Sequence, residues 1–403
     1  MARTARPDDG IGVADAPRRS GVPFLDHGFR PFFLGASLWA AIALAIWVAT
    51  VGGFIDLPSA FDPLHWHQHE MTFGFAGGVV AGFVLTAVPN WTGNLPVRGG
   101  RLAVLFLVWL AGRIAVLTSA EIGALAAAII DVGFLLGLSV LVFREIVIGQ
   151  NWRNLPICGL ITLFAAANAA THLESASGAA SEYGVRSGLA VLILLIALIG
   201  GRIVPSFTRN WLAKRKAPPP APFSPFDRAC LVVAAAALVA WILRPAWSPT
   251  GVMLVAAGLL HFLRVCRWQG LRTLSEPLVT ILHVGYLWLA LGLLLLGASI
   301  LVPAVPATAA LHALTAGAIG TMTLAVMTRA SLGHTGRPLT SGAGTTVIYG
   351  LVTVGAILRV IAQNPPPALD PDVMLNLSAL SWGGAFALFA LVYGPMLYGP
   401  HRT

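Results

Sequence analysis

The 403-residue sequence is short of charge: 10% of its residues are Asp, Glu, Lys or Arg, against 57% hydrophobic. Together with a mean hydropathy of +0.80, that scarcity excludes an ordinary soluble globule. Cysteine is also scarce. Cys158, Cys230 and Cys266 lie far apart and form neither a CxxC nor a CxxCH pattern, which excludes a dithiol motif and a covalently attached haem. Each falls near an expected cytoplasmic helix end, where disulfides do not persist, and reads as a small buried hydrophobe. The net charge of +9 has a better explanation than nucleic acid, because its placement follows a membrane topology.

What the chain has is long apolar runs bounded by Pro, Gly or charge. They predict an all-α polytopic membrane protein with helices over 32–54, 64–89, 102–118, 122–143, 155–174 and 187–204. A second set follows over 229–243, 249–266, 276–301, 308–328, 343–361 and 373–398. Each of the twelve suffices to cross a hydrocarbon layer of roughly 30 Å at about 1.5 Å per residue. The first run is too long for a signal-peptide core and no cleavage site follows it, so residues 1–31 read as a retained, Arg-rich cytosolic arm. With the N-terminus inside, 21 of the 25 Lys and Arg residues fall on the cytoplasmic side; only Arg113, Arg186, Arg244 and Arg359 fall outside. The positive-inside rule therefore supports both the helix count and an N-in, C-in orientation. A basic, Pro-rich cytosolic loop over 205–227 divides one membrane domain, 32–403, into six helices and six.

Ten histidines are present, and three fall in His65-Trp66-His67-Gln68-His69-Glu70, at the outer start of the second helix. Neutral imidazole is a common transition-metal ligand. His172 and His312 reach the same side on helices five and ten. Asp62-Pro63 reads as an N-cap and first helical residue, which would pair His65 with His69 and turn His67 away. An extended 62–69 would instead align all three histidines. The plain alternative is a solvated cluster that senses pH. Glu70 is a candidate proton donor or an orienting partner for a ligating histidine, and a salt bridge with Arg113 is the competing reading. Asp131, midway along the fourth helix, reads as a packing hydrogen bond. Asn168, one turn below His172, is placed to hold its ring. His283, with Tyr286 nearby and Glu276 two turns back, reads as a functional intramembrane histidine, and His261 as a satisfied interfacial one. The Gly74, Gly78 and Gly82 series lets another helix approach closely.

The run from His65 through Phe75, continuing Leu85-Thr86-Ala87-Val88-Pro89-Asn90-Trp91-Thr92-Gly93, resembles the NnrS family of bacterial membrane proteins. Phe29-Arg30-Pro31-Phe32-Phe33 fits that family's opening. His312-Ala313-Leu314-Thr315, then Gly320 to Leu324 and Arg329 to Leu339, resembles its second hallmark. The resemblance implies a haem- and copper-containing protein of the bacterial inner membrane, tied to nitric oxide metabolism, denitrification and nitrosative stress. Its expected cofactors are non-covalent b-type haem and copper.

On that reading His172, His312 and His283 are the expected cofactor ligands. His65, His67 and His69 are the expected metal ligands, and Glu70 the catalytic proton donor. Reducing two NO to N2O needs two protons and two electrons, and the sequence names no electron donor. The adjacent His-His pair and His-Pro-Glu run of haem–copper oxidases are both missing, so shared chemistry would be convergent. Twelve helices and a central basic loop also suit a secondary transporter. A membrane sensor presenting Ser331 to Gly336 to a partner is the third reading; a structured turn is that segment's plainer explanation.

Overall fold

Twelve helices in a computed structural model of the chain, described here for residues 21–179 and 182–400, are long and apolar enough to cross a membrane. They are α1 (Phe29–Val51), α2 (Pro63–Thr92), α3 (Gly100–Leu117), α4 (Ala124–Ile148), α5 (Trp152–Ser177) and α6 (Tyr183–Ala213). The second six are α7 (Pro225–Leu243), α8 (Ser248–Cys266), α9 (Pro277–Leu301), α10 (Ala307–His334), α11 (Ala343–Ile361) and α12 (Pro371–Tyr398). No strand occurs among the described residues. The three cysteines are unpaired; Cys158 and Cys230 are buried as expected, but Cys266, at the end of α8, is exposed.

Two boundaries differ from the sequence expectation in a way that matters. Helix α1 starts at Phe29, so Arg30 belongs to a helix and not to an arm. It is 2% exposed and donates to the carbonyls of Leu397 at 2.9 Å and Gly399 at 2.6 Å. Helix α6 runs to Ala213, well into the segment expected as loop, because its backbone ladder continues after the apolar run stops. Most of the expected N-terminal arm, residues 1–20, and His401 lie outside the described residues.

The three most buried helices are α2, α6 and α10, and they touch one another at the centre. Around them lie three packed triplets: α3–α4–α5, α7–α8–α9 and α11–α12–α1. Each central helix, and no other among the described residues, contains a π-helical turn: Glu70–Ala76, Ile196–Gly200 and Ala313–Ile319. The feature recurs every fourth helix, a period absent from a six-plus-six reading.

A π turn shifts the backbone ladder and frees a carbonyl, which apolar surroundings cannot leave unpaired. In each turn a side chain from the surrounding ring donates to one carbonyl, in the first alongside the Gly77 amide. Trp109 Nε1 donates to Gly74 O at 3.0 Å, Arg264 Nη1 to Ala197 O at 3.0 Å, and Trp382 Nε1 to Ala316 O at 3.2 Å. Because α1 begins and α12 ends at one face of the bundle, that face is the termini end; Asp62 marks the opposite, far end.

Candidate functional site

At the far end α2 starts as the sequence suggests. Asp62 caps it, accepting from the amides of Leu64 at 3.0 Å and His65 at 3.2 Å, with Pro63 at the first helical position. The helical alternative for 62–69 is therefore the one adopted, and it separates the three histidines. The His65 ring pairs with Asp62 and its side chain is 40% exposed. Partial burial of Asp62 works against its charge, but the His65 ring and the two helix amides outweigh that and hold the carboxyl below its ordinary 3.8.

His69 is fully buried in a network drawn from α2, α3, α4 and α5. Its Nδ1 lies 3.0 Å from Glu70 Oε1, and its Nε2 lies 2.8 Å from Asn168 Oδ1 and 3.0 Å from Asp131 Oδ2. Glu70 also accepts from Trp39 Nε1 at 2.7 Å and from Arg113 Nη1 at 2.6 Å. Arg113 reaches Asp131 with its other terminal nitrogen. Asp131 Oδ2 accepts from Asn168 Nδ2 at 2.8 Å and from His172 Nε2 at 3.0 Å. Phe61 covers both histidines, with ring centroids 5.1 Å and 5.2 Å away.

The charges in this network are informative. Two carboxylates face one guanidinium, so the group carries one surplus negative charge until a proton or a metal cation joins it. Both ring nitrogens of His69 face oxygen acceptors, which a doubly protonated imidazolium satisfies completely. His69, Asp131 and His172 also offer one ligand atom each, all within 4.8 Å of one another, so a cation replacing those protons would meet three donors.

His67 points elsewhere. Its ring stacks on Trp47 of α1 at 4.6 Å and 20°, within electrostatic range of His312 on α10 and Arg359 on α11. Its Nδ1 is buried with no hydrogen-bond partner. His312 Nδ1 lies 3.5 Å from the Thr315 hydroxyl. The structure thus brings His69 and His172 together, with ring centroids 5.0 Å apart, and places His67 within electrostatic range of His312 in a separate region.

His283 joins neither pair. It lies near the termini end of α9, its Nε2 2.8 Å from the Thr208 hydroxyl, while Glu276 engages the amides of Leu278 and Ser341. Tyr286 instead bonds His261 Nδ1 at 2.8 Å and Arg264 Nη1 at 2.7 Å. Asn168 holds the ring of His69, where the sequence had paired it with His172. The glycine series permits close packing as expected. A Cβ on Gly74 would lie 2.6 Å from Glu70 Oε2, and one on Gly82 would lie 2.7 Å from the Phe33 ring. Of the segment 331–336, expected as a turn, Ser331 to His334 form the last turn of α10 and only Thr335 and Gly336 turn away from it. Ser331 and Thr335 are buried, and the His334 ring lies 5.5 Å from that of Phe29.

The sequence marks most members of the network but not the roles of Trp39, Trp47, Phe61 and Arg359. Trp39 and Trp47 lie on the preceding helix α1 and Arg359 on the distant α11, and no local spacing marks any of the four.

A family profile described as NnrS protein matches residues 23–401, nearly the whole chain. Comparison with curated proteins finds no match.

Proposed function

Because the chain belongs to the NnrS family, whose membership suggests a nitric-oxide-related membrane protein associated with metal and haem binding, we propose that it handles nitric oxide at a metal site built on His67 and His312. One observation carries this reading: the buried Nδ1 of His67 has no hydrogen-bond partner, and a second imidazole, His312 on α10, lies within its electrostatic range. A buried polar atom without a partner is costly, and a neutral imidazole with a free ring nitrogen is the form that ligates metals. The donor set fits haem iron or copper, both of which accept imidazole. When bound, either would supply an open coordination position for NO and a seat for the electron it needs.

The chain's own residues do the rest. Trp47 fixes the plane of the His67 ring, and Thr315 orients His312. The neighbouring network holds a proton. Both oxygens of Glu70 already accept hydrogen bonds, from Arg113 and Trp39, so we assign the proton-bearing role expected of Glu70 to His69 beside it. His69, held between Glu70 and Asp131, is the group that can give up a proton and regain it. Arg113 keeps both carboxylates in place, and Phe61 shields the pair from water. In the finer form of the proposal two NO, two protons and two electrons yield N2O and water, the electrons coming from a one-electron carrier outside this chain. The far end then faces the outside of a bacterial inner membrane, as the positive-inside rule requires.

A second reading rests on the three converging ligand atoms of His69, Asp131 and His172, which places the metal in the network itself. Metal analysis separates the two. Purified H67A and H312A should lose the metal and the NO-induced change in the reduced-minus-oxidised spectrum, while H172A keeps both; the second reading requires the opposite. Gas-phase N2O from reduced protein given NO tests turnover. Full metal content and an unchanged NO response in H67A and H312A would sink the His67–His312 proposal.

A further inference from the structure

At the termini end, the starts of α5 and α7 and the region around the ends of α6 and α8 line an open-mouthed cavity of about 410 Å³. It falls within the range of small-molecule sites, roughly 300–1,000 Å³, and far exceeds the roughly 30 Å³ share of one water. Its lining is basic. Arg153, Arg202 and Arg209 converge on it from two helices, and Arg202 lies within electrostatic range of Arg153. None of the three forms an ion pair among the described residues.

The one carboxylate in the lining, Asp227, is already engaged. It accepts from Arg264 Nε at 2.9 Å, from Arg267 Nη1 at 3.2 Å and from the Ser224 amide and hydroxyl at 2.9 Å each. It cannot offset three further guanidinium groups. A second observation points the same way. Arg264 is fully buried, and its Nη2 has no hydrogen-bond partner. It packs against Gly201, a cavity-lining residue on which a Cβ would lie 2.7 Å from the Arg264 Cζ. Only a glycine leaves room for that guanidinium behind the cavity wall.

Like charges gathered at a recess without a counter-charge repel one another, and an anion relieves that repulsion. Guanidinium forks match phosphate oxygens two at a time. Phe223 and Trp268 add apolar wall beside the arginines, and basic recesses between membrane helices are suited to anionic headgroups. We propose that this cavity binds a phosphate-bearing anion, either the headgroup phosphate of an anionic phospholipid or a free phosphate.

The test uses the full-length protein in an uncharged detergent. Native mass spectrometry compares added phosphatidylglycerol with phosphatidylcholine, and calorimetry titrates inorganic phosphate. Phosphatidylglycerol should bind at least tenfold better than phosphatidylcholine, and rising salt should weaken it. R202Q/R209Q should lose at least tenfold, while K214Q/K216Q, outside the cavity, should stay within twofold. Binding of phosphatidylglycerol without inorganic phosphate identifies a lipid site; binding of inorganic phosphate that competes with the lipid identifies a free-anion site. If the double variant does not fold, R153Q on a different helix carries the same expected loss. Equal binding of the two lipids with no heat from inorganic phosphate would overturn the proposal, as would arginine variants that bind both probes like the parent.

Discussion

Arg113 meets Glu70 through a single nitrogen, Nη1, which lies 2.7 Å from Oε1 and 2.6 Å from Oε2, and neither side chain is more than 1% exposed. The same guanidinium holds Asp131, so one cation stands between two buried carboxylates. R113Q should therefore destabilise the fold by about 3–5 kcal/mol, the usual result of removing one partner of a buried pair. R113K keeps the charge but not the two-sided fork and should fall between. Thermal melting in detergent measures both, and an R113Q protein that melts like the parent would refute the electrostatic account.

Gly74 is the close-approach point of that network. Alanine there would press on Glu70 Oε2 and the Arg113 guanidinium, and overpacking of this kind costs about 1–3 kcal/mol. G133A on α4, where a Cβ meets nothing within 4 Å, should be neutral or gain about 0.5–1 kcal/mol. The contrast between the two melting curves is the readout.

His65 and His67 are two residues apart and should behave oppositely. H65A removes an exposed ring paired only with its own helix cap, so metal content should stay within twofold of the parent. H67A should lower it at least tenfold, since losing only an outer partner of a ligand already costs roughly 10–100-fold. Equal losses would mean that the cluster acts as one site after all.

Asp62 gives the far end a pH dependence of known sign. Its carboxyl titrates below its ordinary 3.8 when folded, so its contribution is complete above that value and is lost as pH falls through the lowered one. D62A should cost about 1 kcal/mol of helix capping at neutral pH. The gap between parent and D62A melting temperatures should close as pH drops below 3.8. A gap that widens in acid would contradict the cap assignment.

The twelve helices were legible because crossing a bilayer demands a long apolar run, and such runs survive any detail of packing. Their ends were less so. Residues 205–213 carry Arg209 and Asn210 and read as loop, yet the α6 ladder simply continues past the apolar run. Arg30 read as one more cytosolic charge; its partners are carbonyls more than 360 residues away, which no local window contains. The pairing of Glu70 with Arg113 was among the readings because both charges fall on the same side of the bundle. Which histidines meet depends instead on how α2, α5 and α10 are rotated, and hydropathy fixes depth without fixing rotation. His283 illustrates the limit: intramembrane placement marked it, but its partner Thr208 belongs to a stretch read as loop.

The contact of α12 with α1 has a consequence for how the chain is made. Arg30 precedes the carbonyls that satisfy it by more than 360 residues. Until α12 packs beside α1, that cation must stay wet or be held by another group, and a variant without Leu397 and Gly399 would leave α1 without its clasp.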